Sequence, residues 1–467
     1  MELHFELNGE AVRVDDVSPT RTILQYLRRE QRLTGTKEGC AEGDCGACTI
    51  VVQRGERLES INSCLVPLAQ LHGLRAWTVE GLGGAHPAQL AMVQRLGSQC
   101  GYCTPGIVMS LVEACHRTDL DAPWKLEDQL CGNLCRCTGY RPIREAARAV
   151  AGSCPADGLG GAPTRSEAFD GSFGGTRYRR PTALDEALQA LEENPEIRIM
   201  AGSTDLGLRM TKHHEHWPEV LDVTAIEELC SERVEDGHWV LGASVRLSHL
   251  EDRAAALCPP IARMLRFFGA RQIKHQGTLG GNLCNASPIG DMAPVMLALG
   301  AEVVLASTRG RRVLPIEEFF TGYRQTALAP SELLLAVRVP LVPASARCVT
   351  YKVSKRRELD ISAVSAGLYC EVVDGRVCRP RLAFGGMAAT PARARGAEAA
   401  LEGQPWGAVA VDAVVAALAA DFSPMSDHRG TSVYRQRLAE NLLRAFLEEP
   451  ERLPGLEDRP VGTVEIR

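Results

Sequence analysis

Several features are scarce in this chain, and each scarcity removes a class of function. No apolar stretch approaches the roughly 18 residues that a membrane-spanning helix needs, so no membrane role is expected. Basic and acidic side chains number 52 and 58, a net charge of −6, and no long basic block occurs, which argues against a nucleic-acid partner. The opening from Met1 to Gly9 alternates apolar and polar residues and lacks the charged-then-apolar layout of a signal peptide. It reads as the first strand of a cytoplasmic protein. No internal repeat is present.

What the chain has in quantity is cysteine, 17 residues in 467. A cytosolic chain rich in cysteine is expected to bind metal rather than to be laced with disulfides, because its thiols stay reduced. Eight of them form two sets. Cys40-x4-Cys45-x2-Cys48 followed by Cys64 has the plant-type [2Fe–2S] spacing, in which a tight loop presents three thiolates to one small inorganic core. Gly39, Gly43 and Gly46 in that loop let backbone N–H groups turn toward the sulfurs. Structural zinc also accepts four cysteines, but usually from paired knuckles, and a three-cysteine loop is not one. The second set, Cys100-x2-Cys103 with Cys135-x-Cys137, consists of such knuckles, and its spacing alone fits zinc as well as iron. The other nine cysteines (Cys115, Cys131, Cys154, Cys230, Cys258, Cys284, Cys348, Cys370 and Cys378) are scattered singly and read as small buried hydrophobes.

Local patterns predict the frame around these sets. Asn8-Gly9 between alternating apolar residues marks a hairpin, and Ser18-Pro19 opens a helix striped by Ile23, Leu24 and Leu27. A second hairpin is expected around Arg54-Gly55. From about residue 84 the texture becomes helical, over 89–96, 105–115, 125–130 and 143–151. Residues 153–176, rich in Gly, Pro and Ser, read as a flexible linker. Short strands and helices alternate from 180 to about 340, and strands then helices fill the remainder to about 450. At about 150 residues per domain, the length suits about three domains.

Two later loops have the make-up of a pyrophosphate cradle. Ile199-Met200-Ala201-Gly202-Ser203-Thr204-Asp205-Leu206 runs out of a short strand, and Gly202 permits close backbone approach. Gly277-Thr278-Leu-Gly-Gly281-Asn282, continuing to Ser287-Pro-Ile-Gly-Asp291, adds N–H donors, hydroxyls and a carboxylate. Neither is the G-x-G-x-x-G of a Rossmann unit, and each alone also reads as an ordinary turn. Lys355-Arg356-Arg357 and His213-His214-x-His216 read as solvated surface rather than as nucleotide or metal sites.

The stretches around the second cysteine set, Gln99-Cys100-Gly-Tyr-Cys103-Thr-Pro-Gly106 and Gly132-Asn-Leu-Cys135-Arg-Cys137-Thr-Gly-Tyr140, resemble the second [2Fe–2S] domain of the molybdenum hydroxylases, the xanthine dehydrogenase and aldehyde oxidase family. The two glycine loops, in their order, resemble that family's FAD domain, and Leu382-Ala-Phe-Gly-Gly-Met-Ala-Ala-Thr-Pro391 its C-terminal partner. This resemblance implies an α+β multidomain chain. A ferredoxin-like β-grasp [2Fe–2S] domain would span 1–78 and a four-helix-type [2Fe–2S] domain 79–152. After the linker, a two-part α/β FAD domain of the vanillyl-alcohol oxidase and cresol methylhydroxylase type would span 177–342. A C-terminal α+β flavoprotein domain (347–450) and a tail (451–467) would complete the chain.

The resemblance also implies the cofactors: one cluster on Cys40, Cys45, Cys48 and Cys64, another on Cys100, Cys103, Cys135 and Cys137, and FAD. Ile199 to Leu206 would wrap the FAD pyrophosphate and ribose. Thr278, Gly281, Asn282, Ser287 and Asp291 would form a second wall, with Leu334 and Lys352 as flavin contacts. Because the family's molybdenum-cofactor region would follow where this chain stops, the chain looks like the small subunit of a two-subunit bacterial xanthine dehydrogenase. A large molybdopterin-binding subunit, met by Gln99, would then hold the purine, NAD⁺ would be the acceptor, and two copies of each subunit would assemble. No catalytic base is expected in this chain.

Overall fold

The computed structural model describes residues 2–357 and 359–448, so the expected tail at 451–467 lies outside the described residues. Contacts divide the chain into two units. The first runs to Glu227 and takes back Gly269–Gly277, and the second holds Glu228–Phe268 and everything from Thr278 onward. The region expected as one FAD domain is thus divided in sequence, with its first part grouped with the cysteine-bearing domains.

The first unit begins with a five-stranded sheet. Leu3–Leu7 and Glu10–Val14 form the expected hairpin, turning on Asn8 and Gly9 at φ 56° and 87°. The helix Ile23–Arg29 starts at Thr22, whose hydroxyl accepts the Gln25 N–H while the Gln25 side chain returns to the Thr22 N–H. Thr49–Arg54 and Arg57–Asn62 form the second hairpin. Between the hairpins lies Arg75–Trp77, parallel to Leu3–Leu7 and antiparallel to Thr49–Arg54, which completes a β-grasp. This three-residue strand has no period-2 signature, because it is too short to show one. Leu3, Phe5, Ile23, Leu27, Ile50 and Ile61 are fully or almost fully buried beneath the helix.

Four helices follow, Pro87–Gln94, Thr104–His116, Pro123–Cys131 and Arg141–Val150, and each carries proline in its first turn where the missing N–H costs nothing. They close around Met92, Ile107, Leu111, Val112 and Ile143. The stretch expected as a flexible linker has little regular structure in its first part, yet it is pinned. Thr164 and Gly55 exchange backbone hydrogen bonds, Ala162 carbonyl accepts from Gln53 and Arg75, and Cys154 N–H reaches Cys115 carbonyl at 2.8 Å. Its last residues already form the strand Phe169–Phe173. Composition reports turn preference, whereas the anchoring comes from groups about 40 to 110 residues away in sequence. Phe169–Phe173, Thr176–Arg180, Glu219–Asp222 and Arg198–Met200 then make a four-stranded sheet whose Tyr178, Met200 and Val220 join the β-grasp core.

The second unit holds a five-stranded antiparallel sheet, ordered Glu232–Glu235, His238–Gly242, Leu333–Pro340, Glu302–Ser307 and Gly310–Pro315. Its C-terminal part is a four-stranded sheet led by Ala346–Val353, Val364–Val373 and Arg376–Gly385. The helices Arg395–Leu401, Val411–Asp421 and Ser432–Glu448 bury Leu401, Leu418, Leu442 and Phe446 against it. Among the described residues no helix is long and apolar enough to cross a membrane.

Candidate cofactor sites

The fold gathers the first cysteine set around one point. Cys45 hydrogen-bonds Cys40, and Cys64 hydrogen-bonds Cys48. Cys40 Sγ also accepts the backbone N–H of Glu42 and of Cys45, each at 3.4 Å. The bond from Cys45 pulls the Cys40 thiol down to about 5, and that from Cys64 lowers Cys48, while Cys45 and Cys64 are pushed up as the partners that keep the proton. Backbone N–H groups aimed at sulfur are what a thiolate metal ligand set requires. Cys48 and Cys64 are buried and Cys40 and Cys45 half-buried, so the loop meets solvent on one side.

The second set forms at the helix joints. Cys103 caps Thr104–His116, and Cys135 and Cys137 sit in the loop between Pro123–Cys131 and Arg141–Val150. Side-chain bonds join Cys100 to Cys137 and Cys103 to Cys135. Cys135 Sγ lies 3.2 Å from the Thr138 hydroxyl, and its N–H donates to Tyr140 Oη at 2.9 Å. Burial pushes the Cys103 thiol up to about 12. Burial opposes ionisation of Cys135 as well, but hydrogen bonds led by Thr138 outweigh it and lower that thiol. Cys100 and Cys137 are exposed, as are Gln99, Leu96, Tyr102, Leu134 and Tyr140.

The two cysteine loops touch. Tyr102 hydroxyl donates to Glu38 carbonyl, Leu134 N–H to Cys45 carbonyl at 3.0 Å, and Asn133 Nδ2 to Gly46 carbonyl at 3.0 Å. Gly46 is forced to be glycine: its φ is +69°, and a Cβ would stand 2.1 Å from Gly132 carbonyl. A backbone hydrogen bond therefore joins the Cys45 peptide to the residue just before Cys135.

The first glycine loop is held from behind within the first unit. Gln70 Nε2 donates to Ala201 carbonyl at 2.8 Å, and Leu206–Thr211 continues the loop as a helix. A Cβ on Gly202 would lie 1.8 Å from Gln276 carbonyl, so the loop and Gln276-Gly277 are pressed together. Ser203 holds φ +57° with a buried hydroxyl that has no partner, and Gln276 Nε2 is also buried without one. In the second unit Thr278 caps Leu279–Cys284 by accepting the Gly281 N–H at 3.0 Å, and Gly280 lies against Ala243 too closely for a Cβ. Asn282 Oδ1 and Ser244 Oγ are buried there without partners, and Ser287 Oγ accepts from Ile289. Close-packed glycine backbone beside unpaired hydroxyl and amide groups is suited to a phosphate-bearing ligand. Leu334 is buried on Leu333–Pro340. Asp291 and Lys352 form a buried ion pair at 2.7 Å, with Ser362 on the other Asp291 oxygen and Phe268 carbonyl accepting from Lys352. Both carboxylate oxygens of Asp291 are thus engaged by the chain itself.

Sequence reading overlooked the stretch Gly269–Gly277. Arg271, Gln272, Lys274, His275 and Gln276 are all buried there. Arg271 Nε and His275 Nε2 meet Glu113 Oε1 at 2.6 and 2.8 Å, Lys274 meets Asp128 at 2.8 Å, and Arg54 meets Gln276 at 2.8 Å. A short basic stretch looks like a surface loop until its acidic partners, over a hundred residues away, come into contact with it. A second unforeseen cluster is His86, His116 and Asp157, with both imidazole Nε2 atoms on one Asp157 oxygen at 2.8 and 2.9 Å. His86 Nδ1 accepts the Ala88 N–H, which leaves its Nε2 carrying the proton, so this cluster is a polar pin on the former linker rather than a metal site. His213, His214 and His216 are exposed, as are Lys355, Arg356 and Arg357. Of the nine single cysteines, Cys115, Cys258 and Cys370 are buried as expected, but Cys154 and Cys230 are exposed.

Comparison with known proteins bears on this arrangement. Residues 5–71 match the 2Fe-2S iron-sulfur cluster binding domain, 78–148 the [2Fe-2S] binding domain, 171–342 the FAD binding domain in molybdopterin dehydrogenase, and 349–450 the CO dehydrogenase flavoprotein C-terminal domain. This chain is an iron–sulfur and FAD member of the molybdenum hydroxylase family. Its fold is mixed α+β and multidomain, with two [2Fe–2S]-binding domains and an FAD-binding domain. It is 32% identical to xanthine dehydrogenase of Drosophila pseudoobscura pseudoobscura over 97% of this chain and 39% of that protein. It is 33% identical to xanthine dehydrogenase/oxidase of Gallus gallus over 87% and 36%. This molybdenum hydroxylase chain thus spans under half the length of the curated relatives it matches. Among solved structures, reconstituted CO dehydrogenase from Oligotropha carboxidovorans gives a TM-score of 0.55 at 29% identity, over 61% of this chain and 99% of that one. Quinoline 2-oxidoreductase from Pseudomonas putida 86 gives 0.54 at 25%, over 62% and 100%.

Proposed function

We propose that this molybdenum hydroxylase chain is the electron-transfer subunit of a cytoplasmic xanthine dehydrogenase. In this reading a large molybdopterin-binding subunit oxidises hypoxanthine or xanthine, and this chain relays the electrons to NAD⁺, with two copies of each subunit assembled. The observation that carries the reading is the direct hydrogen bond between the two cysteine loops, from Leu134 N–H to Cys45 carbonyl. When bound, [2Fe–2S] clusters carry single electrons and FAD can convert single electrons to a hydride.

The chain's own residues would then divide the work. Cys100, Cys103, Cys135 and Cys137 would hold the cluster nearest the partner. Cys100 and Cys137 are exposed, and so are the apolar side chains Leu96, Tyr102, Leu134 and Tyr140 in the same two segments, the kind of surface that partner proteins cover. Gln99, also exposed, would reach the partner's molybdopterin. Cys40, Cys45, Cys48 and Cys64 would hold the cluster nearer the flavin. That order is supported by Gly207, whose Cβ would stand 2.6 Å from Leu65 carbonyl, next to Cys64, at the end of the Ile199–Leu206 loop. Thr278, Gly281, Asn282, Ser287, Asp291, Leu334 and Lys352 would complete the FAD contacts. The chain supplies burial, spacing and hydrogen bonding, and no base for purine chemistry.

Xanthine dehydrogenase is favoured over other substrates because the alignments that span most of this chain are to xanthine dehydrogenase and xanthine dehydrogenase/oxidase. The equivalent subunit of a hydroxylase acting on another heterocycle is the second reading, favoured by the likeness to quinoline 2-oxidoreductase. Purification of the native complex, followed by assay of hypoxanthine, xanthine and quinoline with NAD⁺, separates the two. Purine-dependent NADH formation supports the first, and turnover of quinoline without purine turnover defeats it.

A further inference from the structure

The residue after the Leu206–Thr211 helix reaches the first cysteine loop. Lys212 Nζ donates to Cys40 carbonyl at 2.5 Å and lies 3.5 Å from Glu42 Oε2, while the Thr211 hydroxyl donates to Ala41 carbonyl at 2.8 Å. The loop it touches is acidic, with Glu38, Glu42 and Asp44 flanking Cys40 and Cys45. A thiolate-ligated cluster becomes more negative with each electron it accepts. Acidic neighbours therefore disfavour reduction, and a cation on a ligand's own peptide favours it. No local pattern suggested this role, since Lys212 precedes a histidine-rich surface turn.

We propose that Lys212 is a positioning and charge-tuning residue that raises the reduction potential of the cluster held by Cys40, Cys45, Cys48 and Cys64. The proposal rests on the cluster assignment above and adds to it a specific determinant of potential, delivered by the helix that continues the first flavin loop. Because Lys212 is half-exposed, with 42% of its side chain accessible, its influence is screened by salt. Glu42 is the opposing charge. Its N–H serves Cys40 Sγ whatever its side chain, so Glu42→Gln keeps that hydrogen bond while removing the negative charge that faces Lys212.

EPR-monitored redox titration of the full iron-loaded chain tests this, in wild type and in Lys212→Gln, Lys212→Arg and Glu42→Gln. Lys212→Gln is expected to lower the midpoint potential of one cluster signal and leave the other in place. Lys212→Arg is expected to restore the wild-type value, and Glu42→Gln to shift the same signal upward. The Lys212→Gln shift should shrink as salt rises from about 0.01 M to about 1 M, because the Debye length falls from about 30 Å to about 3 Å. An unchanged potential in Lys212→Gln at low salt, equal shifts in both signals, or an Arg variant as low as the Gln variant each overturns the proposal. Two unperturbed cluster signals leave the cofactor assignment standing, whereas a wild-type chain with no cluster signal removes both.

Discussion

Replacing Glu113 with alanine tests a fully buried carboxylate of the first unit. The Glu113 side chain is 1% exposed, and its two oxygens accept from Arg271, His275, Ser60 and Gln129. Truncation removes both oxygens, which accept five hydrogen bonds from these four residues, and takes from the Arg271 guanidinium, 9% exposed, its nearest partner, leaving Asp128 at 3.8 Å. Breaking one side of a buried ion pair costs about 3–5 kcal/mol, because the remaining charge sits out of water with its strongest contact gone. In a unit of this size each kcal/mol lowers Tm by about 2–4 °C, so the first-unit transition should fall by roughly 6–20 °C. Burial alone would raise the Glu113 carboxyl, but His275 and Arg271 outweigh it and hold it well below the usual range. A depressed carboxyl contributes stability above its unfolded pKa of about 4.3 and loses it as pH falls through the lower folded value. The alanine variant should therefore also lack the part of the wild-type acid limb that lies below about pH 4. Calorimetry or fluorescence melts across pH measure both effects. A variant melting within about 2 °C of wild type at neutral pH would show that Asp128 compensates Arg271 once Glu113 is gone.

Other outcomes follow from the same geometry. Cys103→Ser should remove one of two EPR-distinguishable clusters and stop purine-dependent NAD⁺ reduction, while oxidation of NADH by an artificial dye survives; loss of both activities in a folded protein contradicts the proposed order. Asp291→Ala should reduce flavin content on gel filtration while iron stays constant, and should cost about 3–5 kcal/mol because Lys352 is left buried and unpaired. Full flavin retention would defeat that assignment. Gly202→Ala should lose flavin too, since its Cβ would fall 1.8 Å from Gln276 carbonyl; a variant with normal flavin content would show that the loop can yield. His72 is held down to about 4, chiefly by burial and then by Arg180. The unfolded chain therefore binds the extra proton first, and stability should fall as pH drops from about 6.5 to about 4. His72→Gln should flatten the melting curve in that window, and an unchanged slope would rule the residue out.

Chemistry carried by residue type and short spacing was legible in the sequence. Eight cysteines and the glycines among them announced two metal-binding loops, because a thiolate set must be presented by a tight turn whose backbone is local. The Asn8-Gly9 hairpin and the four helices after residue 84 were legible for the same reason: turn chemistry and hydrophobic period act over a few residues. What the tertiary structure alone decided was which distant groups meet. It brought Arg271 and His275 to Glu113, pinned the supposed linker through Thr164 and Asp157, paired Asp291 with Lys352, and laid Lys212 on the Cys40 carbonyl. Each of those contacts joins residues at least 40 apart, and the free energy that selects them is hydrogen bonding and charge pairing between groups that folding brings together. That free energy does not exist until the chain has folded, and so no local pattern can carry it.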